Sequence, residues 1–321
     1  MGQLKRRKIE PKPLGLKDFH SKRNQVVIWH DKGGLGDVLM QRMMFDDFKA
    51  LMPDSELIFA CLPEYMDAAR DHPCIAKVLD SREINPNDYI VCYNTCVTLA
   101  DRYENGNAPC SEHRSDIWAK YCGITLTSHE MRFFLDPEAV NKCREKISQP
   151  GKKTVLFAPV SKMGVKTLLP HQINSVVDAT KTCNLVGIHT KDIPELSKIG
   201  IPVITNISVK EWMCYIAAAD YVVSVDTATF HMAGGLKKPL MGIFTFADGK
   251  AYGKYFDFIL VQKHRDNGDW DCGPCFKYAC CPKCKTPKKP CLTEITNDDI
   301  RGGLARLFQR WPLEKQGTIL A

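Results

Sequence analysis

Long hydrophobic runs are missing from this sequence. The longest uninterrupted apolar stretch is the eight residues of Trp212–Ala219, whereas a helix that crosses a bilayer needs about 20. No apolar stretch follows the basic N-terminus, which disfavours a secretory signal. A complete Gly-x-Gly-x-x-Gly fingerprint is also missing, which disfavours a nicotinamide oxidoreductase. We therefore expect a cytoplasmic protein without a membrane span.

The excess positive charge is concentrated in two segments of the sequence. The 321 residues are 44% hydrophobic and 25% charged, with a net charge of +7, which is ordinary for a globular protein of one large or two smaller domains. Residues 1–24 hold eight Lys or Arg against two acids, and residues 263–289 hold seven against three. The rest of the chain is slightly acidic. This distribution argues against a uniformly basic nucleic-acid surface and indicates a basic arm and a basic second segment.

That second segment is rich in cysteine. Of the 15 cysteines, six fall between positions 272 and 291, including two Cys-x-x-Cys pairs. Such clustered thiolates can surround one tetrahedral metal ion, and both zinc and iron suit them. The alternative is a set of reduced thiols or redox chemistry. The candidate metal ligands are Cys272, Cys275, Cys281, Cys284 and Cys291.

The first half of the chain alternates strand and helix patterns. Gln25–Trp29, Glu56–Cys61 and Tyr89–Tyr93 have the composition of short strands. Between the first two, apolar residues recur at three- and four-residue steps from Asp37, and Pro53 ends the predicted helix. This alternation predicts a parallel sheet covered by helices.

The same pattern restarts after a Pro-Gly-Lys break at positions 149–153. Thr154–Ala158, Leu185–His189, Tyr221–Val225 and Leu240–Phe244 are predicted strands. Ser208 to Glu211 forms a capping box at the start of a predicted helix. We expect an arm over residues 1–24, a domain over 25–149, a second domain over 150–310 that contains the Cys-rich metal segment 269–292, and a tail over 311–321.

A glycine-rich turn follows the first predicted strand and ends in Asp37. Glycines here let the backbone turn tightly and approach a ligand, and the following helix N-terminus favours negative charge. The alternative is a tight turn in which Asp37 only caps the helix.

Two loops of the second half suit a phosphate ligand. Ser161, Lys162 and Lys166 follow a strand at the end where open α/β sheets bind their ligands; the alternative is a solvated loop. Asp226 ends another strand, and hydroxyls and amides then open a short helix near His231. Taken singly, that histidine is more often an interior residue than a ligand.

Together these segments resemble glycosyltransferase family 9, the ADP-heptose:lipopolysaccharide heptosyltransferases. The resemblance covers about residues 25–310 and is most specific at Asp226–Ala233 with Pro239 beyond, which is similar to an Asp-Thr-Gly-x-x-His-x-Ala…Pro signature. Ala228 stands where the family usually has glycine. The cysteine cluster resembles the iron-binding motif of bacterial autotransporter heptosyltransferases, which glycosylate protein.

The resemblance implies an α/β protein of GT-B fold, with two Rossmann-like domains facing across a cleft. It implies inverting transfer of a heptose from an ADP-linked donor to an acceptor hydroxyl, with Asp37 as general base and Gly34 and Gly36 in the acceptor-side turn. A structural zinc or iron ion is expected on the cysteines, and no divalent ion in catalysis. The donor-binding residues carried over are Ser161, Lys162, Lys166, Asp192, Asp226, Thr227, Ala228 and His231.

Two alternatives remain open. A sugar transferase could act on a nucleic acid or a protein that the basic arm recruits, rather than on a saccharide. A non-enzymatic zinc-knuckle protein could bind nucleic acid, with a steep dependence on salt. An oligomer is compatible with all of these.

Overall fold

The computed structural model describes residues 22–107, 110–245, 247–263 and 290–312. The chain divides into two units, Met1–Phe134 and Leu135–Ala321. The boundary lies ahead of the linker expected at positions 149–153, because the helix Pro137–Ile147 packs on the helix Val209–Ala218 of the second unit. Each unit is an α/β layer structure around a parallel sheet, which confirms the predicted fold class.

The first unit contains a four-stranded parallel sheet in the order β3-β2-β1-β4. Apolar and β-branched residues of its central strand, such as Val26, Val27 and Ile28, are fully buried, as is typical of parallel strands covered on both faces. The strands are β1 (Lys22–Trp29), β2 (Glu56–Cys61), β3 (Lys77–Asp80) and β4 (Tyr89–Asn94), and the helices are α1 (Leu35–Gln41), α2 (Phe45–Leu51), α3 (Val97–Gly106) and α4 (Arg114–Cys122).

The single helix predicted from Asp37 to Pro53 is divided. A 3₁₀ turn, Arg42–Met44, separates α1 from α2. Arg42 is fully buried at this point and pairs with Asp71 while donating to the carbonyl oxygens of Ala68 and Met131. A buried guanidinium needs such partners for its charge and its donors, and sequence periodicity does not reveal them.

The second unit contains a six-stranded parallel sheet in the order β10-β9-β8-β5-β6-β7. Its buried core combines apolar residues of the strands with those of the helices Pro170–Ala179 and Asn297–Arg310, including Val155, Phe157, Ile173 and Leu304. The strands are β5 (Thr154–Ala158), β6 (Asn184–Ile188), β7 (Val203–Ile204), β8 (Tyr221–Val225), β9 (Leu240–Phe244) and β10 (Ile259–Gln262), and the helices are α5 (Pro137–Ile147), α6 (Pro170–Ala179), α7 (Pro194–Ser197), α8 (Val209–Ala218), α9 (Ala228–Gly235), α10 (Gly249–Tyr252), α11 (Pro290–Thr293) and α12 (Asn297–Arg310).

Each sheet reverses its strand order at one place. In the first unit the chain moves from β1 through β2 to β3 and then crosses back to β4 on the other side of β1. In the second unit it moves from β5 through β6 to β7 and then crosses back to β8 on the other side of β5. At such a reversal the loops after the two strands diverge and leave a crevice at the carboxyl ends, where open α/β sheets bind ligands.

In the part of the chain that the structure describes, no helix combines the length and the apolar character that crossing a bilayer requires.

Candidate active site

The turn after β1 depends on a glycine with a positive φ. Gly33 adopts φ +119°, and a Cβ on it would lie 2.9 Å from Oδ2 of Asp37 and 3.1 Å from Nε2 of His30. Gly34 is the N-cap residue of α1 with an ordinary φ of −100°, and Gly36 lies in the first turn of that helix. The turn therefore requires Gly33, the first glycine of the predicted glycine-rich turn, more than it requires Gly34 or Gly36.

Asp37 caps its own helix. Its Oδ2 atom accepts the backbone N–H of Gly34 at 2.8 Å, which confirms the capping interpretation. Its other oxygen, Oδ1, accepts from Nη1 of Arg114 at 2.7 Å. The side chain keeps 15% of its surface exposed. A capped and paired carboxylate thus remains accessible at the carboxyl end of β1.

Arg114 connects Asp37 to two further carboxylates. Its guanidinium donates to both oxygens of Glu104 at 2.8 Å and to Asp101 at 2.7 Å. Glu104 is only 1% exposed, so its charge depends on this arginine. Arg114 was missed by the sequence interpretation because it is 77 positions from Asp37 and no local pattern relates the two.

The pKa of Asp37 lies below its usual value. Burial alone raises it, but the Arg114 charge, the neighbouring His30 and the Gly34 amide together outweigh that effect. Asp37 is therefore ionised at neutral pH, the state in which a carboxylate accepts a proton.

His30 bridges the strand reversal of the first unit. It follows β1 directly, is 1% exposed, and its Nδ1 atom lies 2.7 Å from the carbonyl oxygen of Thr95, which follows β4. Burial lowers the pKa of His30, although Asp37 and Asp31 act in the opposite direction. The sequence interpretation missed this residue as well, since a single histidine after a strand carries no recognisable motif.

The second unit joins two of the predicted donor loops. Nζ of Lys166, in the loop after β5, lies 2.7 Å from Oδ2 of Asp226, in the loop after β8. The same β5 loop is closed by Thr167, whose hydroxyl accepts the backbone N–H of Ser161 at 3.1 Å. The two loops flank the strand reversal between β5 and β8. Predicted residues from separate segments therefore meet at the expected crevice.

The start of α9 offers further polar groups. Thr227 is its N-cap residue, and its hydroxyl lies 3.2 Å from that of Ser224. Thr227 and Ala228 are both partly exposed. The first N–H groups of a helix have no partner within the helix, so this end is suited to an anion.

Three further residues were predicted to bind the donor: Lys162, Asp192 and His231. Lys162 is exposed, and its charge helps to lower the pKa of His189, after burial and Lys191. Asp192 is exposed and accepts the hydroxyl of Ser197. His231 is 2% exposed and packs among the rings of three aromatic residues, which agrees with the interior-histidine alternative. Those rings belong to Phe230, Tyr252 and Phe256.

The metal prediction falls largely outside the described residues. Cys272, Cys275, Cys281 and Cys284 lie there, and Cys291 is a half-buried residue of α11. Within the described ranges one group of potential ligands, Asp46, His72 and Cys74, lies with its donor atoms inside 4.8 Å.

That group fits a metal poorly. Asp46 already accepts from the Cys74 thiol at 3.1 Å and pairs with Arg132. Burial and Asp46 raise the pKa of Cys74 to about 11, whereas a metal requires the thiolate. The contacts favour a hydrogen-bonded trio.

Comparison with known proteins agrees with this architecture. The model of glycosyltransferase family 9 (heptosyltransferase) matches residues 186–285. A comparison with curated proteins found no match. Among solved structures, a glycosyltransferase family 9 protein from Veillonella parvula DSM 2008 is similar, with a TM-score of 0.66 and 12% identity over 90% of this chain and 98% of that one.

Two structures of Escherichia coli proteins are also similar. TibC from enterotoxigenic strain H10407, a dodecameric iron-containing heptosyltransferase solved with ADP-D-beta-D-heptose, has a TM-score of 0.68 and 17% identity over 95% of this chain and 81% of that one. ADP-heptose LPS heptosyltransferase II has a TM-score of 0.61 and 11% identity over 89% and 99%. At these identities the likeness establishes a common fold.

Fold and family match define a glycosyltransferase enzyme of the GT-B fold class. The resemblance to glycosyltransferase family 9 is confirmed by the family model over residues 186–285.

Proposed function

We propose that this protein transfers a heptose from ADP-heptose to an acceptor hydroxyl with inversion at the anomeric carbon. The observation that carries the proposal is the Lys166–Asp226 pair at the strand reversal of the second unit, within a chain whose residues 186–285 match the heptosyltransferase family model. The ADP-heptose complex of TibC supports the choice of donor.

The second unit would hold the diphosphate of the donor. As the bond to the sugar breaks, the leaving diphosphate gains negative charge, and fixed cations and N–H donors stabilise that charge. Lys166 is 18% exposed and lies beside the N-terminus of α9, while Ser161 and Lys162 belong to the same β5 loop. Ala228 presents a methyl group at the helix start. His231, being interior, would act by shaping α9, and Asp192 would contact the ribose or base.

The first unit would supply the general base. An acceptor hydroxyl must lose its proton as it attacks, and a positioned base contributes roughly 10²–10⁴-fold to such a step. Asp37 is ionised and partly exposed, and Arg114 and the Gly34 amide hold both of its oxygens in place. Gly34 and Gly36 keep the backbone beside it narrow enough for an acceptor to approach.

Asp37→Asn tests this assignment. Calorimetry with ADP-heptose should give a dissociation constant within about threefold of wild type, while ADP release during turnover should fall roughly 10²-fold or more. Asp54→Asn, an exposed carboxylate of the same unit, is the matched control and should retain full turnover. Undiminished turnover in Asp37→Asn would remove the base assignment, and a wild-type protein that does not bind ADP-heptose would remove the donor.

The cysteine segment would hold a structural zinc or iron ion. TibC, which shares the fold, is iron-containing, and four thiolates that close a site leave no open position for chemistry. Cys272→Ser should lower the metal-to-protein ratio and the melting temperature together. Cys183→Ser, outside the cluster, is the control and should leave the metal content unchanged. Equal metal content in both variants would contradict the ligand assignment.

A further inference from the structure

The tautomer of His30 is set by its contacts. The Thr95 carbonyl oxygen can only accept, and it lies 2.7 Å from Nδ1, so Nδ1 carries the proton and Nε2 presents a lone pair. The Gln41 amide nitrogen also lies near Nδ1, but at 3.2 Å it is the weaker contact. If Nδ1 carried no proton, its lone pair would face a lone pair of the Thr95 carbonyl oxygen at 2.7 Å, which is repulsive.

The Nε2 atom of His30 is aimed at the turn that carries Asp37. It is buried and has no hydrogen-bond partner among the described residues. One point beside Gly33 lies 3.1 Å from this nitrogen and 2.9 Å from Oδ2 of Asp37. The lone pair of Nε2 and the carboxylate oxygen of Asp37 are therefore two proton acceptors at most about 6 Å apart, on either side of that point. A buried polar atom without a protein partner calls for a physical explanation.

We propose that His30 is the proton-holding partner of Asp37, storing on Nε2 the proton that Asp37 removes from the acceptor hydroxyl. This inference rests on the proposed transferase function and names a residue that acts through the base. His30 is too deeply buried to touch the acceptor. It therefore acts on the reaction only through Asp37.

The step balances. The acceptor O–H bond breaks, and its oxygen forms the new bond to the anomeric carbon. The bond from that carbon to the diphosphate breaks, and its electron pair leaves with the diphosphate. The proton passes to Oδ2 of Asp37 and then, through one water that bridges the two groups, to Nε2 of His30, which becomes an imidazolium that still donates from Nδ1 to Thr95.

The groups around the imidazole act on its charged state in opposite directions. Asp37 and Asp31 stabilise a positive ring, Arg114 opposes it, and burial disfavours it. The other neighbours of the imidazole are uncharged. They are the Gln41 amide and the Trp118 ring, which meets the imidazole edge to face with 5.5 Å between the ring centroids. Burial outweighs the two carboxylates and keeps the pKa of His30 below its usual value, so the imidazolium holds its proton only briefly and returns it to solvent after product leaves.

His30→Gln tests the proposal, since glutamine fills the space but stores no proton. The assay is ADP release from ADP-heptose with water as acceptor, which needs no knowledge of the natural acceptor. His72→Gln is the matched control, because His72 is an equally buried histidine of the same unit that does not face Asp37. We expect kcat of His30→Gln to fall roughly tenfold to 10²-fold, with the donor KM unchanged and with His72→Gln close to wild type.

The pH profile separates proton storage from a structural effect. Because the pair titrates as a unit, removing the imidazole should move the acid limb of kcat to lower pH as well as lowering the plateau. A lowered plateau with an unmoved limb, or wild-type kcat in His30→Gln, would overturn the proposal. A wild-type enzyme that releases no ADP would instead defeat the transferase function itself.

A measurement on the unaltered protein covers the case in which His30→Gln does not fold. Nitrogen-15 spectra of histidine-labelled protein at neutral pH should show His30 protonated at Nδ1 and bare at Nε2. The opposite tautomer would overturn the proposal, because its Nε2 could not accept a proton.

Discussion

The ammonium nitrogen of Lys166 lies 2.7 Å from Oδ2 of Asp226 and so joins the loop after β5 to the loop after β8. The two strands are neighbours in the sheet although their loops are about sixty positions apart in sequence. Asp226 is 5% exposed and Lys166 is 18% exposed, so the lysine is the member of the pair that an incoming anion can reach. A bound diphosphate would contact the Lys166 ammonium group, which Asp226 already holds in position.

Replacing Lys166 should weaken donor binding. Lys166→Met removes the cation and leaves Asp226 buried without it, so ADP-heptose affinity should fall about tenfold or more, a loss of about 1.4 kcal/mol per factor of ten. Calorimetry measures the change. Lys181→Met is the matched control, because Lys181 also pairs with an aspartate but is 72% exposed. Equal dissociation constants for the two variants would show that Lys166 does not contact the donor.

Arg114 should be required for stability. Arg114→Met leaves Glu104 buried and unpaired, and removal of one partner of a buried ion pair typically costs about 3–5 kcal/mol. Urea unfolding measures this loss. Arg82→Met is the control, since the Arg82 side chain is 68% exposed in its pair with Asp80 and exposed pairs contribute about 0–1 kcal/mol. Adding Glu104→Gln to Arg114→Met should recover part of the stability, and no recovery would argue that Glu104 is not the cause.

Gly33 and Gly34, adjacent in the turn after β1, should respond differently to replacement by alanine. Gly33→Ala places a methyl group against Asp37 and His30 at φ +119°, a conformation that costs of order 1–3 kcal/mol for a residue other than glycine. Gly34→Ala meets nothing closer than 3.8 Å at an ordinary φ, so it serves as the control. The melting temperature should fall in the first variant and stay near wild type in the second. Similar behaviour of both would contradict the geometry of the turn.

His72 should make the protein less stable in acid. Burial, followed by the Arg42 charge, lowers the pKa of His72 from 6.5 to about 4. Between these values the unfolded chain binds a proton that the folded protein does not, so stability falls as pH falls from about 6.5 to 4. The loss from this residue reaches roughly 3 kcal/mol at pH 4.

Urea midpoints at pH 7, 5.5 and 4 test this linkage. His72→Gln should show a shallower loss of stability over that range than wild type, whatever its stability at pH 7. His171→Gln, which replaces an exposed histidine, is the control and should follow the wild-type slope. Parallel slopes for His72→Gln and wild type would contradict the assigned pKa.

Much of the local structure could be predicted from the sequence. The strands Glu56–Cys61, Thr154–Ala158 and Tyr221–Val225 have the bounds that the sequence predicted, because parallel strands that are covered on both faces consist of nearly continuous runs of apolar residues. The capping box at Ser208 was equally local. The prediction of one continuous helix was wrong at Arg42, because the residues that pair with its buried guanidinium lie in distant segments of the chain.

Sequence by itself therefore determined the alternation of strands and helices, the parallel sheets, and the loops that carry Asp37, Lys166 and Asp226. Only the tertiary structure decided which of those loops meet. The pairing of Arg114 with Asp37 and that of His30 with Thr95 join residues 77 and 65 positions apart. These contacts follow from the order of strands in each sheet, which places β4 beside β1 and β8 beside β5, and periodicity along the chain reports burial but not which strands become neighbours.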